Sequence, residues 1–119
     1  MTITQDQADS YLQSDLRNAI ACVNDYIPAR LVKLNPYEVG ALASWSFNVG
    51  CENLKSSNLR HRMNAGEDPI TVAREELPKW VKAGDQTVPG LVRRRNAEFA
   101  LFTFWRSRRS EVRLNDSKA

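Results

Sequence analysis

Seven glutamates, seven aspartates, one histidine and two cysteines are the side chains in this 119-residue chain that could move a proton, attack an electrophile or hold a metal. Their spacing excludes most of that chemistry. Cys22 and Cys51 stand alone, without a Cys-x-x-Cys pair or a framework of spacings. Neither a metal centre nor a disulfide scaffold is therefore expected, and a reduced, cytosolic setting suits them. His61 sits between Arg60 and Arg62 with no nucleophile to pair with, and reads as a solvated surface residue. No metal site and no cofactor is expected. The run WSFNVGCENLKSSNLRHRMNAG, residues 45–66, is the most distinctive in the chain, yet it carries only Glu52 and no aspartate. Any acid chemistry would have to come from outside it.

The totals narrow the classes further. A single core suits 119 residues at 42% hydrophobic content. Seventeen Lys and Arg against fourteen Asp and Glu leave a net charge of +3, too small a surplus to mark a nucleic-acid binder without a clustered patch. The basic end is the C-terminal one, where Arg93, Arg94, Arg95, Arg106, Arg108, Arg109, Arg113 and Lys118 face only Glu98, Glu111 and Asp116. MTITQDQADS lacks the apolar centre of a signal peptide, and no run approaches the roughly 20 apolar residues of a membrane span. Neither export nor anchoring is expected.

The elements that must position these groups read as helices. Thr4 and Gln7 can form a capping box, and Ala8, Leu12, Leu16, Ile20, Val23 and Ile27 recur every three or four residues, predicting an amphipathic helix that ends before Pro28. With its cap so early, Met1 falls at an element boundary, as expected of a self-contained unit. Asn35-Pro36 with Glu38 starts a second helix that is apolar on nearly every face until Gly50. Such a helix belongs in the middle of a bundle, where Gly40, Ala41, Ala43, Ser44 and Ser46 would admit close neighbours. Ser56 or Ser57 can cap a short helix through Met63 that stops at Gly66; Asp68-Pro69 opens another, which Pro78 bends or ends. GDQTVPG, residues 84–90, is turn chemistry, and a last helix follows with Phe99, Phe102 and Trp105 or Arg106 on one face. No alternating strand pattern is present. The expectation is an all-α bundle of about five to seven helices, one domain over residues 1–113 with a disordered tail at 114–119.

Ser46-Phe47-Asn48-Val49-Gly50, Ser57 with Leu59, Asn64-Ala65-Gly66, Trp80 with Lys82-Ala83-Gly84, and Pro89-Gly90-Leu91-Val92-Arg93-Arg94-Arg95 followed by Glu98 and Leu101-Phe102 together resemble the phage-type lysozymes, or endolysins, of glycoside hydrolase family 24. ITQDQADSYLQSDL is similar to the long helix that links the two lobes of that family, so the resemblance reaches from residue 3 to residue 104. It implies a lysozyme-like helical bundle, the C-terminal lobe alone, and peptidoglycan as the family's substrate. It also implies an absence. The family's catalytic Glu, an Asp after eight residues and a Thr after five lie in an N-terminal lobe with a small sheet, which this sequence does not contain. Glycoside hydrolysis needs one carboxylic acid to protonate the leaving oxygen and a second group to deliver water or stabilise the cation. Taking each glutamate in turn, only Glu76 finds an aspartate at the family's spacing, Asp85, with Gly90 or Leu91 where the Thr is due and Pro78 and a turn between. No catalytic residue is expected.

By resemblance Phe47 and Asn48 line the floor of a substrate cleft; the alternative for Asn48 is a polar group bonded inside the bundle. Asp85 stands where the family usually has a second glycine. Trp45 and Trp80 are expected in packing. Arg93, Arg94 and Arg95 are a candidate interaction surface set against simple solvated charge, and Arg106, Arg109 and Arg113 fall at i, i+3 and i+7 on one helical face as the stronger basic patch. The expected function is that of a phage- or prophage-derived lysozyme-like lobe, without muramidase activity of its own, acting in the bacterial host cytoplasm as a binding or interaction module. Its expected partners are peptidoglycan, the missing catalytic lobe, a host or phage protein, or a second copy as a homodimer. Nucleic acid is the least favoured partner, and no membrane is involved. Two alternatives stay open: half of a split peptidoglycan-hydrolysing endolysin or a fragment of an active one, and a repurposed phage accessory protein that blocks a host defence or regulates lysis.

Overall fold

A 22-residue helix, α1 (Gln5–Tyr26), opens the described part of the computed structural model, which covers residues 5–104 with side chains from Leu16 onward. Its buried stripe of Ala19, Cys22 and Val23, continued by Ile27, follows the predicted periodicity. Pro28 has no amide hydrogen with which to extend the ladder. The Tyr26 carbonyl left at the end is taken by Arg60 Nε at 3.0 Å and Asn64 Nδ2 at 2.8 Å, so the end of α1 is fastened by side chains more than thirty residues away. The cap expected at Thr4 lies outside the described residues.

The second helix, α2 (Pro36–Val49), begins with the expected capping box: Asn35 Oδ1 accepts the Glu38 amide at 2.9 Å, and Glu38 Oε1 accepts the Asn35 amide at 2.9 Å. Ala41, Leu42, Ala43, Trp45 and Ser46 on it are buried. Gly50, at a φ of 97°, donates its amide to Ser46 O at 2.8 Å and turns the chain. Another helix then starts at once, α3 (Cys51–Ser56), in a stretch to which the sequence reading assigns no element.

Ser57 Oγ accepts the Arg60 amide at 3.1 Å and caps α4 (Asn58–Asn64), which ends ahead of Gly66. Asp68 Oδ2 does the same for α5 (Pro69–Glu76) by accepting the Thr71 amide at 3.1 Å. Pro78 then sits within a single tighter turn, Leu77–Lys79. The turn expected at 84–90 overlaps a small hairpin: β1 (Lys82–Ala83) and β2 (Gln86–Thr87) pair antiparallel, Lys82 with Thr87 and Ala83 with Gln86. Two-residue strands exposed on both faces cannot produce an alternating pattern, which is why none was legible. The last described helix, α6 (Pro89–Phe102), packs mainly on α2, with lesser contact to α5 and the Leu77–Lys79 turn, and α2 also packs against α1.

Six α-helices and one minimal hairpin among the described residues make the fold all-α, as expected. Leu42, Trp45, Leu54, Leu59, Met63, Val72 and Leu77 are fully buried in one core shared by α2, α3, α4, α5 and the turn after it. Each such side chain contributes about 1.5–3 kcal/mol relative to exposure. Gly40 is not forced by crowding: a Cβ there would lie 3.9 Å from Leu101 Cδ2, an ordinary contact.

The cysteines overturn the expectation of two free, reduced thiols. Cys22, on the buried stripe of α1, and Cys51, the first residue of α3, have Cα atoms 6.0 Å apart and form a disulfide across 29 residues. The packing of α1 against α2 and α3 creates that proximity, and nothing in the local spacing of the cysteines announces it.

A charged clasp ties α4 to α5. Arg62 bonds to Glu67 at 2.8 Å, to Glu76 at 2.9 Å and to Glu75, while Lys79 Nζ meets the same Glu76 Oε2 at 2.9 Å. Burial pushes the Glu76 carboxyl up, but the hydrogen bonds from Lys79 and Arg62 outweigh it and hold the group below its usual range. Glu67 is likewise held low by Arg62.

Among the described residues no helix is long and apolar enough to cross a membrane.

Candidate functional site

The last turn of α2 and the first turn of α6 bracket an open groove of about 290 Å³, lined by Asn48, Val49, Asn53, Lys79, Trp80, Lys82 and Leu91. Besides Asn53 on α3 and Lys82 on β1, three segments build it. The C-terminal end of α2 brings Asn48, the Pro78 turn delivers Lys79 and Trp80, and Pro89 at the first position of α6 sets Leu91 opposite. Trp80 serves the wall and the core together: its ring meets the fully buried Trp45 edge-on, with centroids 5.6 Å apart and planes at 70°. Both tryptophans pack, as expected, and Trp80, half-buried, also faces the groove.

Phe47 and Asn48 part company. Consecutive helical positions point about 100° apart, and Phe47 instead lines a separate hollow with Asn18, Ala19, Ser46, Gly50 and Cys51, where it is 45% exposed. Asn48 is placed differently from Phe47. It is exposed on the groove, and its Oδ1 accepts from Arg95 Nη2 at 2.9 Å.

Arg95 is the largest departure from the sequence reading, which set it in a surface patch. It is 2% exposed, beneath the groove. Its Nε lies 2.6 Å from Glu98 Oε1, its Nη2 bonds Glu98 Oε2 at 3.1 Å, and its Nη1 donates to the Trp80 carbonyl at 3.3 Å. Ser44 Oγ donates to Glu98 Oε2 at 2.7 Å, and Arg94 Nε stands 3.5 Å from the same oxygen. Burial pushes the Arg95 guanidinium below its usual value while Glu98 opposes that shift; an arginine remains a cation through such a change. Of the run, Arg93 alone is exposed, and Arg94 is half-buried against Glu98. Arg106, Arg109 and Arg113 lie outside the described residues.

Among the described residues no carboxylic acid lines the groove. Glu98, the carboxylate nearest to Asn48 in this network, is 3% exposed and engaged on both oxygens by Arg95 and Ser44. Glu76, 4% exposed, is committed to Arg62 and Lys79 and held in its ionised form. Neither, so buried and paired, has the access to a leaving oxygen that a general acid needs. His61 is exposed on α4. Among the described residues no cluster of three or more His, Cys, Asp or Glu could hold a metal ion.

Lys79 and Asn53 were not singled out in the sequence, and Lys82 was named only within the family pattern, since an isolated polar residue near a turn carries no signal of its own. The burial of Arg95 did leave a trace: it precedes Phe99 by four residues and Phe102 by seven, which puts it on the inward stripe of α6.

Comparison with known proteins agrees with the fold. The phage lysozyme family model matches residues 1–98. The chain is 38% identical over 104 residues to the endolysin of Acyrthosiphon pisum secondary endosymbiont phage 1, covering 84% of this chain and 68% of that protein. It is 36% identical to the endolysin of Bacillus phage PZA, of which it spans only 37%. Among solved structures, the muramidase domain of SpmX from Asticaccaulis excentricus superposes with a TM-score of 0.71 at 30% identity, over 84% of this chain and 67% of that one. An endolysin from Escherichia coli O157:H7 phage FAHEc1 gives 0.72 at 30% identity, over 86% and 64%. With its helical fold, its groove and these matches, the chain belongs to the phage lysozyme family.

Proposed function

We propose that this chain is the peptidoglycan-holding wall of a phage lysozyme: it binds the glycan strand in the groove beside Asn48 and Trp80 and, alone, does not cleave it. One observation carries the reading. The groove combines an aromatic side chain with polar and cationic groups suited to an oxygen-rich ligand, while the carboxylates beneath it and beside it, Glu98 and Glu76, are locked in ion pairs. The Cys22–Cys51 bridge supports a place of action outside a reducing cytosol, where such bonds persist and where the cell wall lies. The test is co-sedimentation with purified peptidoglycan. Wild-type chain is expected in the pellet, and Trp80→Ala in the supernatant. Retention of both forms in the supernatant would sink the reading.

A second reading has its own support. Leu16, Ile20 and Phe47 are large apolar side chains exposed by 40%, 39% and 45% on the α1 and α2 side of the molecule. Such surface commonly receives a further lobe or a second copy. On this reading the chain complements a separately supplied catalytic lobe bearing the Glu and Asp. Mixing the two should restore wall clearing that neither shows alone; no gain on mixing would eliminate it.

A further inference from the structure

Asn48 is held by a group that can only donate. A guanidinium carries five N–H donors and no acceptor, so the Asn48 atom 2.9 Å from Arg95 Nη2 has to be its carbonyl oxygen. This fixes an orientation that an isolated asparagine leaves open. Arg95 cannot swing aside, because Glu98 holds its Nε side, the Trp80 carbonyl takes Nη1, and Glu98 is tied in turn to Ser44 on α2. The other end of the Asn48 amide, Nδ2, has no acceptor among the described residues, and the side chain is exposed on the groove. The ammonium groups of Lys79 and Lys82 lie on the same groove, Lys79 shared with Glu76. Asn53 is set the opposite way: its Nδ2 donates to the Val49 carbonyl at 2.6 Å, which leaves its own carbonyl as an acceptor.

We infer that Arg95 is a positioning residue: it locks Asn48 with the amino group over the groove, so that this point reads an acceptor oxygen of the bound strand and rejects a donor. The inference rests on the glycan reading given under Proposed function. The candidate acceptors are the acetamido carbonyl of a sugar and a carboxylate of a peptide substituent, which accept without donating.

The orientation is tested first without any ligand. In the ¹⁵N-labelled chain the Asn48 side-chain NH₂ is expected to exchange with water like an exposed amide and to show no cross-peak to the Arg95 guanidinium. A protected NH₂ with such a cross-peak would overturn the inference. Binding is then measured with tri-N-acetylchitotriose, which is neutral, and with a disaccharide tetrapeptide, which carries carboxylates. Asn48→Asp keeps an oxygen for Arg95 but has no donor, so it should melt at or above the wild-type temperature and bind whichever ligand the wild type prefers about tenfold more weakly. The neutral sugar losing affinity marks the acetamido oxygen, and a loss confined to the peptide-bearing ligand marks the carboxylate. Equal affinity of the two proteins overturns the donor assignment. Arg95→Lys, which keeps a charge for Glu98 but lacks the fork, should weaken binding in the wild-type background and change nothing further in Asn48→Asp; Asn48→Asp carries the test should Arg95→Lys not fold. Failure of the wild type to bind either ligand overturns the glycan reading and the acceptor assignment together, while the orientation stands or falls on the exchange measurement.

Discussion

Arg95 and Glu98, three residues apart on α6, meet at 2.6 Å with 2% and 3% of their surfaces exposed, and this ion pair forms the floor on which Asn48 and Trp80 rest. A charge pair so buried contributes little net stability against an apolar substitute, because desolvation offsets most of the attraction. Its effect lies in what happens when half of it is removed. Arg95→Leu should lower the unfolding free energy by about 3–5 kcal/mol, since it leaves Glu98 buried and unpaired. The double variant Arg95→Leu with Glu98→Leu should regain much of that loss. Urea denaturation of the three proteins measures it, and a single variant as stable as the wild type would show that the pair is not buried as described.

The disulfide makes a second prediction. Cys22 and Cys51 close a loop of 29 residues between α1 and α3, and cross-links of that span restrict the unfolded chain by about 3–4 kcal/mol. Cys51→Ala paired with Cys22→Ala should therefore melt well below the oxidised wild type, and a reducing agent should lower the melting temperature of the wild type alone. A melting curve insensitive to reductant would argue against the bond in the folded protein.

Acid sensitivity follows from the clasp around Arg62. Glu76 and Glu67 have carboxyls held below their ordinary values, so the folded state binds fewer protons there than the unfolded chain. The stabilisation they provide is present above the unfolded carboxyl range, near pH 4.5, and is lost as the pH falls through their lower folded values. Urea midpoints taken from pH 7 down to pH 3 should fall at the acid end, and the fall should be shallower in Glu76→Gln. Identical slopes in the two proteins would remove Glu76 from the account.

Local signals carried most of the fold. Asn35-Pro36-x-Glu38, Asp68-Pro69, Ser57 and Pro28 each act within a few residues of themselves, and each starts or stops a helix where the sequence placed it. What escaped depends on distant partners or on very short elements. Gly50 marks the end of α2 correctly, but a glycine stop does not say whether the next helix begins after one residue or ten. Cys22 finds Cys51 only because α1 lies along α2 and α3. Arg95 looked like surface because two arginines precede it, although its spacing to Phe99 and Phe102 pointed inward. The family pattern drew attention to Asn48, but not to its hydrogen-bond partner 47 residues further on.

The central claim, that the chain holds peptidoglycan without a proton donor for cutting it, is tested most directly by incubating the purified protein with isolated cell walls and analysing the soluble fraction for muropeptides. The prediction is no release above the buffer control while the protein itself sediments with the walls. Muropeptides carrying new reducing ends would contradict it and would require an acid that neither Glu98 nor Glu76 supplies as they are held here.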